Sequence, residues 1–217
     1  LVNSQYDFGF LATGLIPGQR SKLFPHIFFE SPASLQDLPI ISSVLNNVVE
    51  GDIVAVTFHK GWLNRRRNQH SRPNQPLLQS KYTTAFNNFS KLADVLSRKG
   101  VHLLLIADVP MLRTTNVSIS TCILQQQFVE MNLCSISVDD DLLTSESQDK
   151  LFDKLSQHYS NVYIWDPRPN FKTQNGSYLF HVDNSPLYFD QHHITKEFSL
   201  SLAPTFSRFL NSTFKLF

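Results

Sequence analysis

A chain of 217 residues fits one domain, residues 1–217, and can bury a substantial core. Its 19 basic and 18 acidic side chains leave a net charge of +1, which argues against nucleic acid or an anionic membrane surface as a partner. No stretch approaches the ~20 consecutive apolar residues of a membrane span, and the first residues lack the basic start and apolar run of a signal peptide.

In chain order, Ile27-Phe28-Phe29 reads as a short strand and residues 37–49 as a helix. The chain then turns at Gly51-Asp52 into Ile53-Val54-Ala55-Val56-Thr57-Phe58, an apolar β-branched run and the clearest buried strand. Residues 60–76 are polar, carry two prolines and read as a loop, with Arg65-Arg66-Arg67 as a solvated basic run. A long amphipathic helix of about twenty residues comes next. Tyr82, Phe86, Phe89, Ala93 and Leu96 lie at helical spacing on it, and Lys99-Gly100 is its stop.

Residues 101–107 form a second buried strand, ended by Asp108-Val109-Pro110. A helix is expected over 146–158 and a third strand over 161–165, ended by Asp166-Pro167. Asn175-Gly176 marks a hairpin-like turn, and Thr195 can N-cap a last helix through residue 209. Continuous apolar strands alternating with amphipathic helices predict an α/β three-layer sandwich around a mainly parallel sheet. In such a sheet the reactive loops lie at the carboxyl ends of the strands. The loops after Phe58 and Ile106 and the segment 190–193 are therefore expected to converge.

That last segment carries the strongest chemical signal. In Tyr188-Phe189-Asp190-Gln191-His192-His193-Ile194-Thr195 an Asp three residues before a His can hold one imidazole nitrogen. The other nitrogen can then serve as general base on a hydroxyl. His193 and Asp190 are the candidate catalytic pair, and His192 is out of register with Asp190. The nucleophile is unknown. Gly51-Asp52 is followed by Ile53, which has no reactive atom, and no early serine among Ser4, Ser21, Ser31, Ser34, Ser42 and Ser43 has a strand-turn-helix setting. Lys60 and Trp62, just after the first strong strand, are candidates for lining a substrate cleft with a positive charge and a flat wall.

Cys122 and Cys134 lie twelve residues apart, a spacing that suits one local loop staple or two unrelated buried thiols. Sequons at Asn88, Asn116, Asn175 and Asn211 carry little weight in a chain this rich in Asn, Ser and Thr. No His-Glu-X-X-His or paired-cysteine pattern points to a metal, and no cofactor is expected.

Together these segments resemble the SGNH-type hydrolase domain found fused to acyltransferase family 3 membrane proteins, which O-acylate surface sugars. The C-terminal block of that family, Tyr-X-Asp-X-X-His followed by an aliphatic residue and Ser or Thr, stands here as Tyr188 to Thr195. The strand ends Asp108-Val109-Pro110 and Trp165-Asp166-Pro167, the strand 51–58, and the cysteines Cys122 and Cys134 add to the resemblance, which is strongest over 48–210. A Gly-Asp-Ser nucleophile block is missing, and Thr57-Phe58-His59-Lys60-Gly61-Trp62 stands where SGNH enzymes broadly place an oxyanion-hole Asn.

The resemblance implies an SGNH-hydrolase-like fold that is N-terminally incomplete. Its nucleophilic Ser would lie upstream of Leu1, in a membrane O-acyltransferase acting on carbohydrate. Partners would be an acyl donor, a carbohydrate acceptor and a membrane acyltransferase domain in the same full-length protein. The domain would be extracytoplasmic, tethered through an absent N-terminal region, with Cys122 and Cys134 disulfide-bonded. The 217 residues alone are expected to show little or no esterase activity. One rival reading is a non-catalytic carbohydrate-binding or interaction domain of degenerate SGNH fold. Another is a metal-dependent hydrolase using His192 and His193 with Asp190 and His59.

Overall fold

The computed structural model describes residues 39–64, 79–111, 135–173, 175–182, 185–190 and 193–215. The expected strand at 27–29, the basic run 65–67, Cys122, Cys134 and His192 lie outside the described residues.

Helix α1 spans Pro39–Asn47 and is followed by strand β1, Ile53–Thr57, the short helix α2, Gly61–Asn64, and the long helix α3, Gln79–Arg98. Strand β2, His102–Ile106, β3, Ser135–Ser137, helix α4, Val138–His158, and β4, Val162–Trp165, come next. A 3-10 turn at Arg168–Phe171 leads to β5, Ser177–Leu179, β6, His181–Val182, and β7, Ser185–Pro186. Helices α5, Lys196–Ser201, and α6, Ala203–Phe214, close the described chain. No described helix is long and apolar enough to cross a membrane.

β1, β2 and β4 form a parallel three-stranded sheet in that order, so the α/β reading of the sequence holds. Side chains alternate between its faces. Val54, Val56, Leu103, Leu105, Val162 and Ile164 point to the face where α1, α3 and α4 supply Ile41, Phe89, Leu96, Phe152 and Leu155. Phe58 joins the two long helices there, its ring 5.7 Å from Phe89 and edge-on to Phe152 at 5.5 Å. On the opposite face Tyr163 packs edge-on against Phe214 and Trp165 packs at a tilt against Phe206 of α6, each pair of ring centres 4.6 Å apart. Helices therefore cover both faces, as parallel strands require.

Helix α3 matches its predicted stripe: Phe89, Ala93 and Leu96 are buried, while Tyr82 and Phe86 are half-buried against the same core. Asn88, on the inner face of this helix, is also buried, so its sequon is closed to a glycan in the folded chain. Two boundaries differ from expectation. The helix expected at 146–158 begins at Val138, for a reason that belongs to the site. The last helix is divided at Leu202, because Pro204 has no N–H to continue the ladder; Leu202 ends α5 and caps α6, which runs on to Phe214. Thr195 does cap α5, its hydroxyl accepting from the Phe198 N–H.

The Asn175-Gly176 turn also forms, with Gly176 at φ +75°, a left-handed conformation that a Cβ disfavours. Beyond it β5 pairs antiparallel with β3, and a second small core of Phe171, Tyr178, Phe180, Leu187 and Tyr188 packs beside the sheet.

Candidate active site

The site is built from the segments just beyond the carboxyl ends of β1, β2 and β4. After β1 the chain reaches Lys60, whose backbone N–H donates to Asp108 Oδ2 at 2.9 Å. Its side chain then turns inward, reaching an exposure of 1%. The ammonium donates to Asp141 Oδ1 at 2.5 Å, to the Val109 carbonyl at 3.0 Å and to Ser145 Oγ at 3.2 Å. That is three acceptors for three N–H bonds, so a buried cation is fully satisfied. Gln148 completes the frame by accepting from the Asp108 N–H at 2.9 Å and donating to the Phe58 carbonyl at 2.8 Å.

Lys60, expected to line a cleft with positive charge, thus joins the ends of β1 and β2 to α4 from inside. Trp62 falls in α2, immediately after it. His59, also after β1, turns its ring back on the chain, Nδ1 accepting from the Gly61 N–H at 2.9 Å. A Cβ at position 61 would lie 2.8 Å from that ring, so the close approach requires glycine.

Asp141, Ser145 and Gln148 are the residues that the sequence did not disclose. They stand at i, i+4 and i+7 on α4, in line with Phe152 and Leu155, so one helix face is polar at its start and apolar at its end. Apolar periodicity begins only at Leu151, which is why the sequence placed the helix start late. The available signal was Asp-X3-Ser-X2-Gln continuing the stripe of Phe152 and Leu155 toward the N-terminus.

At the end of β4, Arg168 binds Asp149 of α4 through both Nη atoms at 2.9 and 3.0 Å, and Asp166 through Nε at 2.8 Å. Burial works against this cation, but its hydrogen bonds to the Asp166 and Asp149 carboxylates hold it charged. Burial pushes the Asp149 carboxyl up, and Arg168 pulls it part of the way back.

The Asp–His loop lies over this frame. Leu187 N–H donates to the Phe180 carbonyl at 2.7 Å, and Thr195 N–H to the Leu187 carbonyl at 2.9 Å. Phe189 N–H donates to the His193 carbonyl at 2.7 Å, joining the two sides of the loop. Tyr188 is buried with its ring 4.7 Å from Phe180. Its hydroxyl donates to the Pro110 carbonyl at 2.7 Å, which fastens the loop to the carboxyl end of β2. Burial raises the Tyr188 phenol far above its ordinary range, so it remains a donor.

Within the loop, Asp190 Oδ1 accepts from the His193 N–H at 2.8 Å and Asp190 Oδ2 lies 2.6 Å from His193 Nδ1. Each carboxylate oxygen therefore fixes a different part of the histidine, and with Nδ1 protonated toward Asp190 the lone pair of the neutral ring is on Nε2, across the ring. The imidazole is 66% exposed, open to reactants from solution.

For the metal reading, Asp190 and His193 bind one another, His59 Nδ1 is taken by Gly61, and His192 lies outside the described residues. Among the described residues no three His, Cys, Asp or Glu side chains gather as ligands.

A parallel α/β domain with an Asp–His pair on a loop at the carboxyl edge is the architecture of a hydrolase- or acyltransferase-type domain. The family model described as "SGNH domain (fused to AT3 domains)" matches residues 40–208, more than half of the chain. The chain belongs to that family. No curated protein matches it.

Proposed function

We propose that this domain moves an acyl group to a carbohydrate hydroxyl, with His193 as general base and Asp190 as its orienting carboxylate. The observation that carries the reading is the 2.6 Å contact between Asp190 Oδ2 and His193 Nδ1 in an exposed loop. Family membership supports it. In this reading a Ser on a segment preceding Leu1 attacks the acyl carbonyl, and its hydroxyl proton passes to His193 Nε2. The donor's leaving group takes that proton as the acyl–donor bond breaks. A sugar hydroxyl then gives its proton to Nε2, attacks the acyl-serine and forms the sugar ester, and the proton returns to the Ser. Asp190 holds the tautomer and stabilises the imidazolium in both halves.

The membrane acyltransferase domain would deliver the acyl group. The setting would be extracytoplasmic, and Cys122 and Cys134 would be oxidised to a local disulfide. In this account the segment after β1 that carries Lys60 and Trp62 borders the substrate path, Lys60 acting from beneath by holding the Val109 carbonyl.

The test compares the 217-residue chain with one extended upstream through the expected Ser, using an acetyl ester and His193→Ala in each. Turnover by the extended chain alone, abolished by His193→Ala, is the expected result. Rapid turnover by the short chain would place the nucleophile within these 217 residues. Inactivity of both, with sugar binding retained, would favour a non-catalytic carbohydrate-binding module.

A further inference from the structure

We propose that Phe189 is the platform on which the carbohydrate acceptor stacks beside His193; the proposal rests on the acyl-transfer reading and adds the residue that holds the acceptor. The antiparallel bridge between Tyr188 and Ile194 sets Phe189 opposite His193, and residues opposite one another in such a pair project from the same face. Exposure agrees with that register. Phe189 is 82% exposed and His193 66%, whereas Tyr188, on the other face, is 1%. The bond from Phe189 N–H to the His193 carbonyl ties the root of the ring to the histidine it flanks.

The other large apolar side chains described as exposed, Val49, Leu142, Leu143, Val182 and Leu200, are all aliphatic, whereas Phe189 offers a flat ring. A phenyl ring has no polar atom to gain from water. One open flat face suits a pyranose, which lays C–H groups against the ring and keeps its hydroxyls solvated at the rim, one of them within reach of the imidazole. An acyl chain needs an enclosing pocket, and an open ring gives it only one wall. The sequence alone carries half of this: Phe189 is visible there, but its side of the loop is not.

The experiment is NMR on the full 217-residue chain, carbon-labelled at Phe and His. It is titrated separately with methyl α-D-glucopyranoside, methyl β-D-galactopyranoside and ethyl butyrate. We expect at least one pyranoside to shift the Phe189 ring and His193 signals together. Phe189→Trp should keep its affinity, Phe189→Ala and Phe189→Leu should weaken it by about tenfold or more, and the distant Val49→Ser should not change it. Equal sugar affinity in Phe189→Ala overturns the platform. So does a ring that responds to ethyl butyrate and to neither sugar, which assigns it to the acyl chain, and so does silence toward all three probes. These signals need no turnover, so they fail independently of the acyl-transfer reading, which falls if His193→Ala leaves the extended chain active.

Discussion

Lys60–Asp141 and His193–Asp190 are both close pairs of a nitrogen base with a carboxylate, and their surroundings give them opposite work. The first is sealed in the fold, 1% and 0% exposed, with every ammonium proton placed on an oxygen. Neither charge can leave without stranding the other, so the pair acts as a fixed strut. The second lies in an exposed loop, where the imidazole can exchange protons with a reactant. Proton transfer needs access, and geometry needs burial. The molecule separates the two and ties them together through the Tyr188 hydroxyl on the Pro110 carbonyl, next to the Val109 carbonyl that holds Lys60.

The largest expected effect falls on the exposed pair. In a chain extended to carry the nucleophile, Asp190→Asn and His193→Ala should each lower kcat about 10⁴-fold. Midpoints of urea unfolding should hardly move, since changes at an exposed loop are usually within about 0.5 kcal/mol. A large loss of stability would show that the pair is a strut as well.

The buried pair should answer the other way. Lys60→Met leaves Asp141 buried and unpaired and should cost about 3–5 kcal/mol in urea unfolding, whereas Lys60→Met combined with Asp141→Leu should cost clearly less than the sum of the single changes. Additive losses would contradict the strut. Tyr188→Phe removes only the link and leaves the Pro110 carbonyl without that donor, for about 1–3 kcal/mol. It should also lower kcat of the extended chain more than it raises KM. A Tyr188→Phe protein with unchanged kcat would show that the loop holds its position without the tether.

The smallest effect is on pH. Burial, with the Asp141 charge adding to it, pushes the Tyr178 phenol up to about 12 from 10.0, and Tyr188 rises as well. The unfolded chain loses these protons first as pH rises. The Tyr178 contribution is therefore complete below pH 10 and lost toward pH 12. Thermal unfolding should fall across that window, and Tyr178→Phe should flatten the fall.

Much of the layer order was legible because apolar periodicity reports burial directly: 53–58, 101–107 and 161–165 read as strands, and Phe89, Ala93 and Leu96 as a core stripe. Local chemistry was legible for the same reason, since Thr195 caps its own helix and Asp190 reaches His193 across three residues. The Lys60 cluster was not, because its members are far apart in sequence. Asp141 is the last of three consecutive aspartates, upstream of the helix expected from residue 146, and nothing near it in the sequence marks it for burial.

What the sequence determined by itself is therefore whatever acts over a few residues or repeats with a helical or strand period: the strands, the long helix, the cap and the Asp–His spacing. Tertiary structure alone decided that Lys60 turns inward, that α4 begins with a buried polar face, that Tyr188 ties the loop to β2, and that Phe189 stands on the same side as His193. Those depend on register and on partners distant in sequence, where burial converts an ordinary polar residue into an obligatory pair.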